Sequence, residues 1–193
     1  SHTLGLEKFT QVISDKLSLS LHVLLQLLVL GVIFGLTGKL FAYLLGQLKT
    51  SFAKAFVNPY VRIGVVGLGL SILLYLIGTG RYTGLGTNLI SQSFAGAEGK
   101  SLISGADWFL KLLFTVTTIA AGYKGGEVTP LFSIGASLGV WLAPFFGLPV
   151  YLVASLGYAA VFAGATSTTI GPILIGCEVF GFQHWPAFLL VCL

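Results

Sequence analysis

Charged residues are scarce in this chain, since Asp, Glu, Lys and Arg make up only 8% of its 193 residues. An ordinary soluble domain carries about 25%. So few charges cannot cover a water-facing surface, while 55% of the residues are hydrophobic and the mean hydropathy is +0.96. The composition excludes a soluble globular domain and predicts an integral membrane protein whose main partner is the lipid bilayer. The Lys and Arg residues form no nucleic-acid-binding cluster, so nucleic acid is not expected as a partner.

Methionine is absent, although translation begins with it. The chain opens with SHTLGLEKFT and stops within the apolar stretch FLLVCL. These features predict an internal piece of a longer chain, the alternative being a complete protein with processed ends. Nothing at the amino terminus resembles a signal peptide, because no short apolar core follows a basic start.

Cysteine is nearly absent too, with Cys177 and Cys192 both in apolar segments. Their spacing and neighbours predict buried free thiols and no metal site. No His, Cys or acidic cluster has metal-ligand spacing, and no nucleophile has a plausible base. We therefore expect no metal, no cofactor and no enzymatic activity. His22 and His184 each stand alone, which favours packed or interfacial histidines over titrating switches.

Long apolar runs fill most of the sequence, and a membrane-spanning helix needs about 20 such residues. We predict spans at residues 17–38, 63–77 and 102–121. The first two are joined by a polar connection whose positive charges predict a cytoplasmic position; these are Lys39, Lys49, Lys54 and Arg62. A Gly- and Thr-rich loop, residues 78–100, precedes the third span. Within that span, the i,i+4 spacing of Asp107 and Lys111 predicts a local ion pair.

Three further apolar segments, at residues 131–146, 150–165 and 170–193, are separated by only a few residues. Such short, interrupted segments predict broken or re-entrant helices that meet inside the membrane. Two pairs of glycines four residues apart, Gly31/Gly35 and Gly135/Gly139, predict close approach of helix backbones. The whole pattern is typical of an all-α, multi-pass transport protein.

Residues 122–132, GYKGGEVTPLF, place two charges among glycines just before an apolar run. Gly125, Gly126 and Pro130 frame the start of a helix, because glycine permits close backbone approach and proline suits a first helical turn. The free amides of Glu127, Val128 and Thr129 would then form an anion site at the positive end of the helix dipole. The Thr129 hydroxyl adds a donor, which suits a small, strongly hydrated anion.

Glu127 has two interpretations on the residues alone. A fixed negative charge would repel an anion, but a carboxyl that is protonated part of the time could carry a proton. Alternatively, Lys124 and Glu127 form an exposed pair at a water-facing mouth. Both interpretations remain open at this point.

The stretch GYKGGEVTPLFSIGASLG resembles the GGxFxP helix start of the CLC chloride channels and anion/proton antiporters. Its GG-E-V-T-P form is similar to that of the fluoride/proton antiporter branch. Three other stretches resemble the family: LLVLGVIFGLTGKLFAYLLGQL is similar to its helix J, GLGTNLI to the loop entering helix L, and FAGATSTTIGPILIGCEVFG to its helix O to P region. The resemblance covers about residues 20–190.

This resemblance implies an all-α membrane protein that is the second half of the CLC inverted-repeat fold, with broken and re-entrant helices. Residues 1–193 would form a single transmembrane domain, roughly helices J to Q, within an intact protein that is a homodimer. The family's gating glutamate and pore tyrosine lie outside the part that matches. Ser167, Thr168 and Thr169 stand where many relatives have Asn-Thr-Pro, which leaves the start of the next helix open.

The resemblance also implies roles for the helix start. Gly126, Val128 and Thr129 would bind the anion, Glu127 would couple protons, and Gly125 and Pro130 would frame the site. Glu178 occupies a position where the family commonly has an acid, and we expect it to be structural or interfacial.

The leading functional hypothesis is CLC-type anion transport by fluoride/proton antiport in a bacterial inner (plasma) membrane. The partners would be fluoride or chloride and the proton. One alternative is a chloride-selective CLC channel or chloride/proton exchanger. Another is a truncated membrane domain that transports nothing.

Overall fold

The computed structural model describes residues 21–78, 81–95 and 103–193, and within these ranges the secondary structure is helical, without strands. The α-helices are α1 (Leu21–Ala55), α2 (Pro59–Gly78), α3 (Thr87–Ala95), α4 (Asp107–Ala121), α5 (Val128–Phe146), α6 (Val150–Thr166), α7 (Ile170–Phe180) and α8 (Trp185–Cys192), with a 3₁₀ turn at Phe182–His184. The predicted all-α class is confirmed. By length and composition, α1, α2 and α5 could each cross a membrane.

Helix α1 corrects the predicted first span and polar connection. It continues for 35 residues to Ala55, about 50 Å at 1.5 Å per residue. Lys39, Lys49 and Lys54 therefore lie on the helix and not in a loop. The helix continues because residues 39–55 contain good helix formers and no proline. It stops before Pro59, where the Asn58 side chain accepts a hydrogen bond of 2.9 Å from the Tyr60 amide and caps α2.

Helices α5 and α6 form the centre of the fold and pack against each other along most of their lengths. The predicted close approach is confirmed, because a Cβ at Gly135 would collide with the carbonyl oxygen of Gly157, and a Cβ at Gly139 with that of Val153. Helix α1 crosses α6, where Gly164 lies directly against the backbone of Gly35. Contact of helix backbones through small residues is how apolar helices associate where lipid surrounds them.

Helix α4 corrects two predictions about the third span. It begins only at Asp107, and residues 101 and 102 lie outside the described ranges. Asp107 and Lys111 do not pair with each other, although both are buried. Asp107 forms an ion pair with Arg81 at 2.8 Å and accepts a hydrogen bond from the Tyr82 hydroxyl at 2.6 Å. Asp107 binds Arg81 and Tyr82 because the loop before α3 folds over the start of α4.

Tyr82 keeps its proton at neutral pH in this arrangement. Burial raises its pKa to about 12, and the hydrogen bond to the Asp107 carboxylate contributes to the increase. The phenol therefore remains a donor to Asp107.

The predicted loop of residues 78–100 also contains a helix, α3, whose buried side chains include Leu89 and Phe94.

The last predicted segment, residues 170–193, is two helices. The break falls at Gly181, whose φ of +97° is favourable only for glycine, and Pro186 lies in the first turn of α8. The start of the preceding helix, left open by the sequence, is at Ile170 after Thr169.

As predicted, His184 is buried and both cysteines are free and buried. His22 lies exposed near the start of α1.

We expect Gly135→Ala to destabilise the protein by about 1–3 kcal/mol, because the added methyl group forces α5 away from α6. The measurement is the thermal unfolding midpoint of the detergent-solubilised protein. Gly46→Ala is the matched control, since its exposed α1 site has no atom within 4 Å of an added Cβ. That variant should be neutral or slightly stabilising. Equal midpoints for the two variants would contradict the close packing of α5 on α6.

Candidate functional site: the start of α5

The segment between α4 and α5 is attached to the start of α2. Helix α4 ends at Gly122, which has a φ of +106° and turns the chain away from the helix axis. Arg62 Nε donates to the carbonyl oxygen of Ala121 at 2.9 Å, and the Tyr123 hydroxyl donates to that of Ile63 at 3.0 Å. These bonds fix the position of the glycine pair that follows.

Helix α5 begins at Val128, as the sequence predicts, with Glu127 at the N-cap position and Pro130 in the first turn. The Glu127 carbonyl accepts the first helical bond, from the Leu131 amide at 3.3 Å. The Glu127 side chain makes no capping bond. Within the described residues, the amides of Glu127, Val128 and Thr129 have no hydrogen-bond acceptor. They form the set of free donors that a bound anion requires.

The helix start opens onto the outside of this chain. Gly125, Gly126, Glu127 and Val128 are exposed, Thr129 is half-buried, and the helix is buried from Pro130 to Val140. The Thr129 hydroxyl, like the amides, has no partner in the part of the chain that the structure describes. The donors therefore point to a surface that another part of a protein, water or an ion would have to cover.

Glu127 forms its ion pair with Lys49 of α1, and not with Lys124 as the sequence suggested. Glu127 Oε1 lies 4.0 Å from Lys49 Nζ, and each side chain is about half exposed. Lys49 is within reach because α1 remains helical past the predicted end of the first span. A pair at this distance and exposure contributes little to stability, but it places a positive charge beside the only carboxylate at the helix start.

The two faces of the helix start differ. On the Glu127 face, a cavity of about 120 Å³ lies between α1, α5 and α6, and Thr166 at the end of α6 lines it. On the opposite face, Lys124, Gly125 and Gly126 line a separate cavity of about 300 Å³. Lys124 and Glu127 are thus both exposed but face different cavities. The sequence gives no signal for this division, because it depends on contacts between helices far apart in the chain.

Metal ligation has no support at this site. Across the described ranges, no group of three or more His, Cys, Asp or Glu side chains is arranged to hold a metal ion. The chemistry available at the start of α5 is hydrogen bonding to an anion and protonation of one carboxylate. Sequence reasoning missed Lys49 and Arg81, since only the folded chain brings each to its acid.

Comparison with known proteins decides the family. The sequence profile of a family described as voltage gated chloride channel matches residues 2–193. The chain belongs to this family. It is 35% identical over 188 residues to the chloride/fluoride channel protein of Pseudomonas syringae pv. tomato, in an alignment covering 94% of this chain and 40% of the relative. It is 28% identical over 168 residues to the H(+)/Cl(-) exchange transporter ClcA of Vibrio cholerae serotype O1, covering 81% of this chain and 35% of the relative.

A solved structure confirms the CLC fold. The crystal structure of a CLC-type fluoride/proton antiporter superposes with a TM-score of 0.94 at 53% sequence identity, covering 99% of this chain and 47% of that one. The chain thus spans between about a third and a half of the length of these relatives. The names of the relatives are those of channels and transporters.

Proposed function

We propose that this chain forms part of a CLC-type fluoride/proton antiporter, with the anion bound at the start of α5. The observation that carries the proposal is the 53% identity, over 99% of the chain, to a protein described as a fluoride/proton antiporter. The free amides and the hydroxyl at the helix start supply the chemistry that such an activity needs. Membership of a membrane-protein family and the bacterial relatives support a bacterial inner membrane as its location.

Fluoride would bind to the amides of Val128 and Thr129 and to the Thr129 hydroxyl, with the Gly126 backbone leaving room for close approach. Fluoride is small and strongly hydrated, so it needs several close donors to replace its water. Amides at a helix start are already oriented and carry the positive end of the helix dipole. This site would therefore favour a small anion without a metal or a cofactor.

Glu127 would carry the proton. In its charged form the carboxylate is balanced by Lys49, whose Nζ lies 4.0 Å away. In its protonated form it no longer repels an anion at the neighbouring amides. Alternation between these forms would link proton movement to anion occupancy, and this link is what antiport requires.

Chloride transport is the second candidate. The Pseudomonas relative is called a chloride/fluoride channel protein and the Vibrio relative an H(+)/Cl(-) exchange transporter. Both candidates use the same helix start and differ in the anion selected.

We also propose a homodimer for the intact protein, supported by the family resemblance. Light scattering of the full-length protein in detergent would contradict this with a monomer mass.

The selectivity test is ion efflux from liposomes that contain the full-length protein. We expect fluoride efflux to exceed chloride efflux at matched gradients, accompanied by proton uptake into the liposomes. Equal or greater chloride efflux would contradict the fluoride assignment and favour the second candidate. Fluoride efflux without proton movement would contradict antiport.

We expect Glu127→Gln in the full-length protein to impair proton coupling while leaving anion binding largely intact, because the amide side chain cannot exchange a proton. The measurement is proton flux driven by a fluoride gradient. Glu178→Gln is the control, because Glu178 is an exposed acid on a different helix, α7. Unchanged proton coupling in Glu127→Gln would show that Glu127 lines the water-facing opening and does not carry the proton.

We expect Thr129→Val to weaken fluoride binding by about 1–2 kcal/mol, the contribution of one hydrogen bond. Thr129→Ser keeps the hydroxyl and should restore most of the affinity. The measurement is the equilibrium affinity for fluoride in the full-length protein. If the valine variant binds fluoride as tightly as the serine variant does, the hydroxyl is not a ligand.

A further inference from the structure

The larger cavity beside the helix start adjoins the proposed transport site along Gly125, Gly126 and Pro130, and the rest of its lining has no role in that site. It has a volume of about 300 Å³ and lies between α2, α4 and the segment that precedes α3. Its walls combine apolar side chains, such as Leu74, Phe114 and Ile119, with a few polar groups. Apolar walls with a small number of polar side chains are typical of ligand sites of this size.

Lys111 is the first of these polar groups, and it is almost fully buried at 1% exposure. Its Nζ donates to the carbonyl oxygens of Tyr82 at 3.0 Å and Gly84 at 2.8 Å. An ammonium has three N–H donors, so one remains after these two bonds. No carboxylate among the described residues pairs with it, because Asp107 is bound to Arg81 and Tyr82. A buried positive charge without a counter-charge is costly.

Thr115 is the second polar group, one helical turn after Lys111 on the same face of α4. The hydroxyls of two neighbouring threonines are satisfied within the helix: Thr117 donates to the Leu113 carbonyl at 2.7 Å, and Thr118 to that of Phe114 at 2.6 Å. Thr115 is 8% exposed and lines the cavity, yet its hydroxyl has no partner among the described residues. The hydroxyl is therefore free to donate into the cavity.

The charge around the cavity has one sign. Lys111 and Lys124 both line it, and its lining contains no Asp or Glu. A low-dielectric wall strengthens the field of these two lysines within the cavity. The occupant that this field favours is a negative ion.

We propose that this cavity is a second anion site, separate from the amides at the start of α5, which holds a halide-sized monovalent anion between Lys111 and the Thr115 hydroxyl. The anion supplies the counter-charge that Lys111 lacks and accepts the hydrogen bond that Thr115 does not make within its helix. The volume leaves room for accompanying water. The apolar walls favour an anion that gives up its hydration more easily than fluoride does, such as chloride or bromide.

The test uses bromide as the probe, because its anomalous scattering locates it. Crystals of the full-length protein are soaked in a series of bromide concentrations, and the anomalous peak in the cavity is followed to saturation. We expect a peak within hydrogen-bonding distance of Thr115 Oγ1 and Lys111 Nζ. Thr115→Val should raise the half-saturating concentration about five- to tenfold, the effect of one lost hydrogen bond.

Thr117→Val is the matched control on the same helix, since its hydroxyl is used internally and it does not line the cavity. This variant should saturate as the wild-type protein does. The proposal is overturned if saturating bromide gives no peak in the cavity, or if Thr115→Val and Thr117→Val saturate alike. A peak at the start of α5 in the same maps reports on the transport site alone, so the two proposals succeed or fail separately.

Discussion

The unpaired amides at the start of α5 are the constraint on which the site depends. An apolar chain in a membrane satisfies its backbone within helices, and a broken helix must find other partners for its end. Here contacts on both sides of the break hold the start of α5 in position. Arg62 and Tyr123 attach the preceding segment to α2, while Gly135 seats the helix against α6. The donors are therefore fixed in place before any anion arrives, which is what makes a helix start an effective anion site.

Charge is arranged around this helix start on two sides. Lys49 lies beside Glu127 on one face, and Lys111 and Lys124 line the cavity on the other. The single acid is thus surrounded by positive groups that favour anions near the helix start. Fluoride at the amides and a second anion in the cavity would both draw on this field, although each would use its own hydrogen-bond donors.

Local chemistry explains which features the sequence could predict. The helix start at Val128 and the close packing at Gly135 follow from glycine, proline and spacing over a few residues, and the motif around Glu127 carried the family resemblance. Predictions failed where distant contacts decide. Asp107 pairs with Arg81 because the loop that contains Arg81, 26 residues earlier in the chain, folds over α4. Glu127 pairs with Lys49 because α1 continues as a helix. Neither partner has a signal in the local spacing.

Binding of the transported anion by the first amides of α5 can be tested directly. The most direct measurement is the ¹⁵N–¹H spectrum of the full-length protein, with the amides of Val128 and Thr129 followed during a fluoride titration. We expect both resonances to shift together, with a titration midpoint at the fluoride concentration that half-saturates transport. Unchanged resonances at these two amides, in a protein that transports fluoride, would contradict it.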